Sequence, residues 1–361
     1  MRRDVFEREA KDLLEEADDL VRRRHGNRVT FVINRNINFT NICNVGCTFC
    51  GFQRRAGDAD AYTRSPEEIV QRLEASPGIT EVCLQGGINP ALGFGDYVGL
   101  VRAIRARFPR LHIHGFSPME IEFLHRRSGL GYEEILVELQ AAGLNTIPGT
   151  AAEILVDEVR RVISGNKLSA ATWETIVRTA HRCGLRSTAT VMFGHVETRE
   201  HLAQHFDKLR AIQEETGGFT EMIPLAFIPY RNRLGQRVLA RAGGRERFEA
   251  GIEAQARWLY PLTRVYFDGL IPNVQTSWVK LGPAKAAESL HWGCNDFGGT
   301  LMEESITRES GGPHGESLTP EEIGQWIRRV GKEPVQRDTL YQPVEERSSV
   351  VMTDRSDQVS I

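Results

Sequence analysis

One pattern recurs along the chain: a short apolar, β-branched run, a glycine-rich or polar turn, then a charged stretch with apolar residues at helical spacing. The apolar runs predict strands at residues 30–39, 80–84, 112–116, 146–147, 186–192, 219–225, 273–276 and 296–299. Between them the 3.6-residue period predicts helices, among them 65–75, 96–107, 132–142, 172–183 and 199–215. Start signals support these helices. Ser65-Pro66-Glu67-Glu68 sets a capping hydroxyl before a proline in the first turn, and Thr319-Pro320-Glu321-Glu322 repeats the device. Ala142-Gly143 and Cys183-Gly184 mark helix ends. Ahead of the first strand, residues 1–28 read as an amphipathic helix with Val5, Phe6, Leu13, Leu14 and Leu20 on its apolar side. Past residue 343 the pattern stops, and 344–361 reads as a polar, disordered tail.

Eight strands alternating with helices require parallel strands joined by crossovers, which is an α/β fold. An open doubly wound sheet and a closed barrel both satisfy that order. The count of eight favours the (β/α)8 TIM-type barrel over residues 29–343. The length of 361 residues, set against ~150 per domain, gives a prior of about two domains, but one α/β barrel absorbs most of it.

Composition narrows the function. With 45 basic against 48 acidic residues the net charge is −3, which argues against nucleic acid as a partner. No uncharged apolar run approaches the ~18–20 residues that span a bilayer, so no membrane partner is expected. The acidic N-terminus has no signal-peptide h-region, and a cytoplasmic location, where thiols stay reduced, follows as an expectation. Six cysteines in such a chain are not a disulfide scaffold. Three of them, Cys43, Cys47 and Cys50, are crowded into Cys-x-x-x-Cys-x-x-Cys directly after the first predicted strand. In a barrel that is the first βα loop, on the face that carries active sites. One loop can aim all three thiolates at one centre. A [4Fe–4S] cluster takes four ligands, so three leave one iron open for a small molecule. A zinc knuckle is the alternative, built from Cys47 and Cys50 with Cys43 and a distant His, but no second CxxC accompanies it. His201 and His205 stand at i, i+4 on a charged helix with no chemistry around them and read as structural. Cys83, Cys183 and Cys294 read as small packing groups.

The CxxxCxxC spacing, with Phe49 before the last cysteine, resembles the signature of radical S-adenosylmethionine (radical SAM) enzymes. The resemblance implies a [4Fe–4S] cluster on Cys43, Cys47 and Cys50, whose open iron chelates the SAM amine and carboxylate and delivers the electron that yields a 5′-deoxyadenosyl radical. It also implies cofactor contacts from Phe49 and from Gln85-Gly86-Gly87 after the second strand, where the family's acidic residue is replaced by Ile88. Glu153 is expected to touch the SAM ribose or amine, and Arg186 to pair with its carboxylate.

Further segments, including RNINFTNIC, EVCLQGGINP, GLNTIPGTAAEIL, QTSWVKLG and GGTLMEESITR, resemble the subfamily that builds deazaflavin and menaquinone precursors. The end segment is most similar to the tyrosine-using half of F-zero synthase. That implies transfer of the 4-hydroxybenzyl group of L-tyrosine to 5-amino-6-(D-ribitylamino)uracil, with an electron donor such as flavodoxin or ferredoxin and a separate partner subunit for the other half-reaction. Polar groups at strand ends suit such substrates: His112, His114, His195, Gln275, Ser277, Asn295 and Asp296. A futalosine-type cyclisation is the nearest alternative reaction. A non-catalytic iron–sulfur or zinc scaffold is the alternative from another class.

Overall fold

The alternation seen in the sequence folds, in a computed structural model describing residues 3–344, into a parallel sheet wrapped by helices. Its strands are β1 (Arg28–Val32), β2 (Asn34–Asn38), β3 (Glu81–Gln85), β4 (His112–Gly115), β5 (Thr146–Ile147), β6 (Arg186–Phe193), β7 (Phe219–Ala226), β8 (Asn273–Val274), β9 (Asp296–Gly299) and β10 (Glu333–Arg337). From β2 to β8 they form one seven-stranded sheet in strict chain order, every pairing parallel, which curls into a partial barrel. Helical crossovers join parallel neighbours and cover the outer face, so the strands are buried on both sides.

The predicted first strand is split at Ile33 into β1 and β2. That break lets one run serve two ladders. β2 pairs with β3, while β1 pairs with β9 through Thr30↔Asp296 and Val32↔Gly299. Since β9 also meets β8 through the single bridge Gln275↔Asp296, it fills the eighth place expected from the sequence, by a much thinner seam than the others. On the other edge of β1 lies β10, in register from Arg28↔Glu333 to Val32↔Arg337. This strand was not anticipated. It is short and holds Pro334, which an edge strand tolerates.

The N-terminal segment begins as a 3₁₀ turn (Arg3–Glu7) and continues as a helix (Ala10–His25). Phe6 makes edge-to-face contacts with Phe206, Trp258 and Tyr266 at 5.5, 6.1 and 5.6 Å between centroids. Leu13, Ala17 and Val21 form the buried stripe of the helix, whereas Leu14 and Leu20 are only half-buried. The segment is thus an outer layer against the long helix Arg245–Tyr266. The predicted tail lies, from residue 345 onward, outside the described residues.

Candidate active site

The carboxyl ends of the strands and the loops after them enclose a cavity of about 400 Å³. Its upper wall is the cysteine loop. Main-chain bonds fix this loop: Gly87 N–H donates to Thr40 O at 2.8 Å, Asn44 N–H to Ile88 O at 3.1 Å, Cys43 N–H to Arg54 O at 2.9 Å and Thr48 N–H to Ile163 O at 2.8 Å. Cys43, Cys47 and Cys50 are free thiols lining the cavity, packed with Val45, Phe49 and Ile88. Burial pushes the Cys47 thiol up to about 12 and raises Cys50 as well. Such thiols lose their protons to a metal centre rather than to water. The glycine pair after β3 matters for proximity. A Cβ on Gly87 would sit 2.3 Å from Ile42 O and 2.9 Å from Cys43 Cβ, so only glycine lets the β3 turn lie against the cysteine loop.

Beside this loop stands Glu153, held in a left-handed turn at φ 42°. Lys167 Nζ donates to its Oε1 at 2.7 Å and the Arg160 guanidinium lies 3.7 Å from Oε2, which is buried and accepts no hydrogen bond. Lys167 also sits 5.5 Å from the centre of the Phe49 ring. Opposite, Glu120 accepts from Gly86 N–H at 3.1 Å and from Ser117 N–H and hydroxyl at 2.7 Å each, so it braces the glycine turn. Burial raises its carboxyl to about 7.

The floor is polar and connected. Gln275 Nε2 donates to Glu221 Oε2 and Asp296 Oδ1, both at 3.0 Å. Arg337, delivered by β10, grips Asp296 with Nε at 2.5 Å and Nη2 at 3.0 Å. Tyr341 donates its hydroxyl to Glu221, and Thr339 donates to Glu81 at 2.7 Å. His114 shares the Thr146 hydroxyl with His112, at 2.7 and 2.8 Å. Burial lowers His114 to about 4, so its ring is neutral at pH 7.

Of the residues singled out in the sequence, the structure brings Cys43, Cys47, Phe49, Cys50, Gln85, Gly86, Gly87, His114, Glu153, Gln275 and Ser277 to this one cavity. Asp296 lies directly beneath, behind Gln275. Four others are elsewhere. Arg186 is exposed at the amino end of β6, the end opposite the cysteine loop, and the cations near Glu153 are Lys167 and Arg160 instead. His112 starts β4 and only supports Thr146 from outside the cavity lining. His195 turns away to bond Met192 O at 3.0 Å and sits 3.3 Å from Glu197. Asn295 is a buried brace for Arg264, Val274 and Asn273. Cys83, read as packing, lines the cavity with Gln85 Nε2 3.7 Å from its sulfur, while Cys294 is fully buried as expected. His205 is likewise structural: its Nδ1 accepts from Leu155 N–H and its Nε2 reaches Thr190 O, both at 3.0 Å.

Glu81, Glu120, Lys167, Glu221, Lys280, Arg337 and Thr339 were missed. Glu81 and Glu221 carried a signal, being acids inside otherwise apolar strand patterns. Arg337 and Thr339 carried none, because no strand was expected there.

Among the described residues no three His, Cys, Asp or Glu side chains converge as a single-ion site. A multi-iron cluster asks for something different, about one thiolate per iron, and three free thiols on one cavity-facing loop are that donor chemistry. Glu153, with a buried oxygen that accepts no hydrogen bond, keeps an acceptor lone pair for an amine or hydroxyl beside it.

Comparison with known proteins agrees with this layout. Residues 37–209 match the radical SAM superfamily and residues 221–350 match the CofH/MqnC C-terminal region. The chain is 47% identical to the 5-amino-6-(D-ribitylamino)uracil–L-tyrosine 4-hydroxyphenyl transferase of Methanopyrus kandleri, covering 88% of this chain and 85% of that one. It is 49% identical to the FO synthase of Mycobacterium tuberculosis over 90% of its own length, but spans only 37% of that protein. In fold it is similar to methylornithine synthase, with a TM-score of 0.68, 17% identity and 92% of each chain covered. The chain therefore belongs to the radical SAM superfamily, within the group of the tyrosine 4-hydroxyphenyl transferases.

Proposed function

We propose that this chain moves the 4-hydroxybenzyl group of L-tyrosine onto 5-amino-6-(D-ribitylamino)uracil, a step toward the deazaflavin F-zero. The observation that carries the reading is the 47% identity, over nearly the whole chain, to a transferase named for that reaction. The cavity supports it, with thiols at one end and a polar floor at the other.

In this reading Cys43, Cys47 and Cys50 hold a [4Fe–4S] cluster and leave a place for SAM. Bound together, cluster and SAM supply a 5′-deoxyadenosyl radical that takes a hydrogen atom from the tyrosine amine. The Cα–Cβ bond of tyrosine then breaks, 2-iminoacetate departs, and the benzyl radical adds to the amino-bearing uracil carbon. One electron and one proton leave the adduct, which becomes 5-amino-5-(4-hydroxybenzyl)-6-(D-ribitylimino)-5,6-dihydrouracil; methionine and 5′-deoxyadenosine are the other products. The chain's own work is positioning and keeping water out. The Gln85-Gly86-Gly87 backbone and Phe49 flank SAM, and the free oxygen of Glu153 accepts from its amine or ribose. Ser277, Gln275, His114 and the carboxylates of Glu81 and Glu221 offer the paired donors and acceptors that a uracil edge and a ribityl chain require.

The cluster needs an external one-electron donor, such as a flavodoxin or ferredoxin. The chain spans 37% of the M. tuberculosis FO synthase, and the second half-reaction is assigned to other polypeptide sequence. No helix among the described residues is long and apolar enough to cross a membrane.

Anaerobically reconstituted protein is expected to carry about four irons. Replacing Cys43, Cys47 or Cys50 with alanine is expected to empty it. Supplied with SAM, dithionite, tyrosine and the ribitylaminouracil, it should consume tyrosine and form the adduct. Turnover of dehypoxanthine futalosine with no tyrosine-dependent adduct would sink the proposal, and one zinc per chain would sink the cluster.

A further inference from the structure

A free amino acid entering this cavity must bring its carboxylate out of water, and a buried carboxylate needs a cation. Among the described residues three cationic side chains line the cavity: Lys167, Lys280 and Arg337. Lys167 is already paired with Glu153 at 2.7 Å, and Arg337 with Asp296 at 2.5 Å. The Lys280 ammonium has no ion pair and no hydrogen bond, the residue's only donated bond being its main-chain N–H to Ser277 O at 3.1 Å.

Its position is set by the fold. Gln275, Thr276 and Ser277 carry the chain out of β8 into a single helical turn, Trp278–Leu281, whose anchor is Trp278 Nε1 bonded to Gly299 O at 2.9 Å. This places Lys280 in the cavity wall, within electrostatic reach of Glu304 and Cys50. The Glu304 carboxylate attracts Lys280 but forms no ion pair with it, its oxygen accepting instead from Thr307 N–H at 2.7 Å as a helix cap. Lys280 also borders a second cavity of about 370 Å³, whose other cations are spoken for: Arg245 by Glu249 at 2.8 Å and Lys285 by Glu253 at 2.5 Å. On both sides, then, Lys280 is a cation with no ion-pair partner in contact.

We propose that Lys280 receives the α-carboxylate of the amino-acid substrate, and so determines that the enzyme takes L-tyrosine rather than the corresponding amine. The inference rests on the functional reading above. It sets the tyrosine carboxylate at the upper wall, near the cysteine loop, and leaves the polar floor to the uracil and its ribityl chain. Unlike tyrosine, the ribitylaminouracil has no carboxylate to compete for the site. SAM does have one, and the test separates the two.

Steady-state adduct formation by the reconstituted enzyme is measured for wild type, Lys280→Ala, Lys280→Met and Lys280→Arg, varying L-tyrosine, tyramine and SAM in turn. Equilibrium dialysis of labelled L-tyrosine provides a readout independent of turnover. Loss of one charge-assisted contact predicts a rise of about 10- to 100-fold in the tyrosine KM and dissociation constant for Lys280→Ala. Lys280→Met, which keeps the bulk of the stem, should behave like Lys280→Ala, and Lys280→Arg should recover most of the loss. The preference of the wild type for L-tyrosine over tyramine should collapse in the Ala and Met variants. A tyrosine affinity within about twofold of wild type in those variants, which is under 0.5 kcal/mol, overturns the assignment. So does a rise confined to the SAM KM, or an equal loss for tyramine. A wild type that forms no adduct from tyrosine refutes the functional reading itself, which is a different result from an active wild type matched by its Lys280→Ala variant.

Discussion

Replacing Arg337 with Met removes the one cation that the described residues supply to the floor. Its guanidinium meets Asp296 through two bonds, at 2.5 and 3.0 Å, and lies 3.7 Å from Glu221. The side chains of Arg337 and Asp296 are 2% and 0% exposed, so water cannot take over the role. After the substitution Asp296 keeps the Thr30 hydroxyl at 2.6 Å, the Gln275 amide at 3.0 Å and Gly298 N–H at 2.9 Å, all neutral donors. Breaking a buried pair by deleting one partner costs about 3–5 kcal/mol, because a charge is stranded. Met fills much of the volume, so the lower part of that range, about 3 kcal/mol, is expected. Urea unfolding followed by tryptophan fluorescence should show a midpoint lower by about 1 M at a slope near 3 kcal/mol/M. The double variant Arg337→Met with Asp296→Asn, which removes the stranded charge, should regain more than half of the loss. A cost below about 1 kcal/mol for the single variant, or no recovery in the double, would show that the pair does not hold the floor together.

Three further outcomes follow from the same geometry. Gly87→Ala drives a Cβ to 2.3 Å from the Ile42 carbonyl oxygen, so the turn and the cysteine loop must separate; about 1–3 kcal/mol of stability and much of the bound iron should be lost, as thermal melts and iron analysis would report. Burial lowers His205 to about 3 from its ordinary 6.5, so its neutral form contributes stability that is full above pH ~6.5 and falls away as the pH drops toward 3. Its ring should remain neutral by NMR at pH 5, and His205→Gln should flatten the decline of urea midpoints between pH 6.5 and 4.5. Burial raises Glu120 to about 7, so the folded state takes up a proton between pH ~4.5 and 7 and the stability the wild type holds at the acid end is lost as the pH rises through 7. Glu120→Gln should lose less than wild type between pH 5 and 7.5 in the same assay, and an identical slope would refute it.

The sequence by itself determined the order of elements and the grouping of the three cysteines on one loop, since both are written locally. Alternating apolar runs and capped amphipathic stretches located the seven sheet strands from β2 to β8 and the strand that closes them. Three cysteines within eight positions need no tertiary information to be read as a set. Strand polarity could have excluded Arg186 too, because a residue that opens a parallel strand lies at the end away from the active face. His195 and Asn295 failed for another reason: which way a polar side chain at a strand end turns depends on neighbours such as Glu197 and Arg264, and these come from other parts of the chain. Only the tertiary structure decided the floor and the charge balance of the cavity. β10 has five residues and a proline, and what makes it a strand is the free edge of β1, about three hundred residues earlier. Without it Arg337 has no place, Asp296 and Glu221 have no cation, and Lys280 cannot be seen as the one lining cation among the described residues left without an ion pair. Pairing is a property of distance in space, and no local pattern of apolar and polar residues records it.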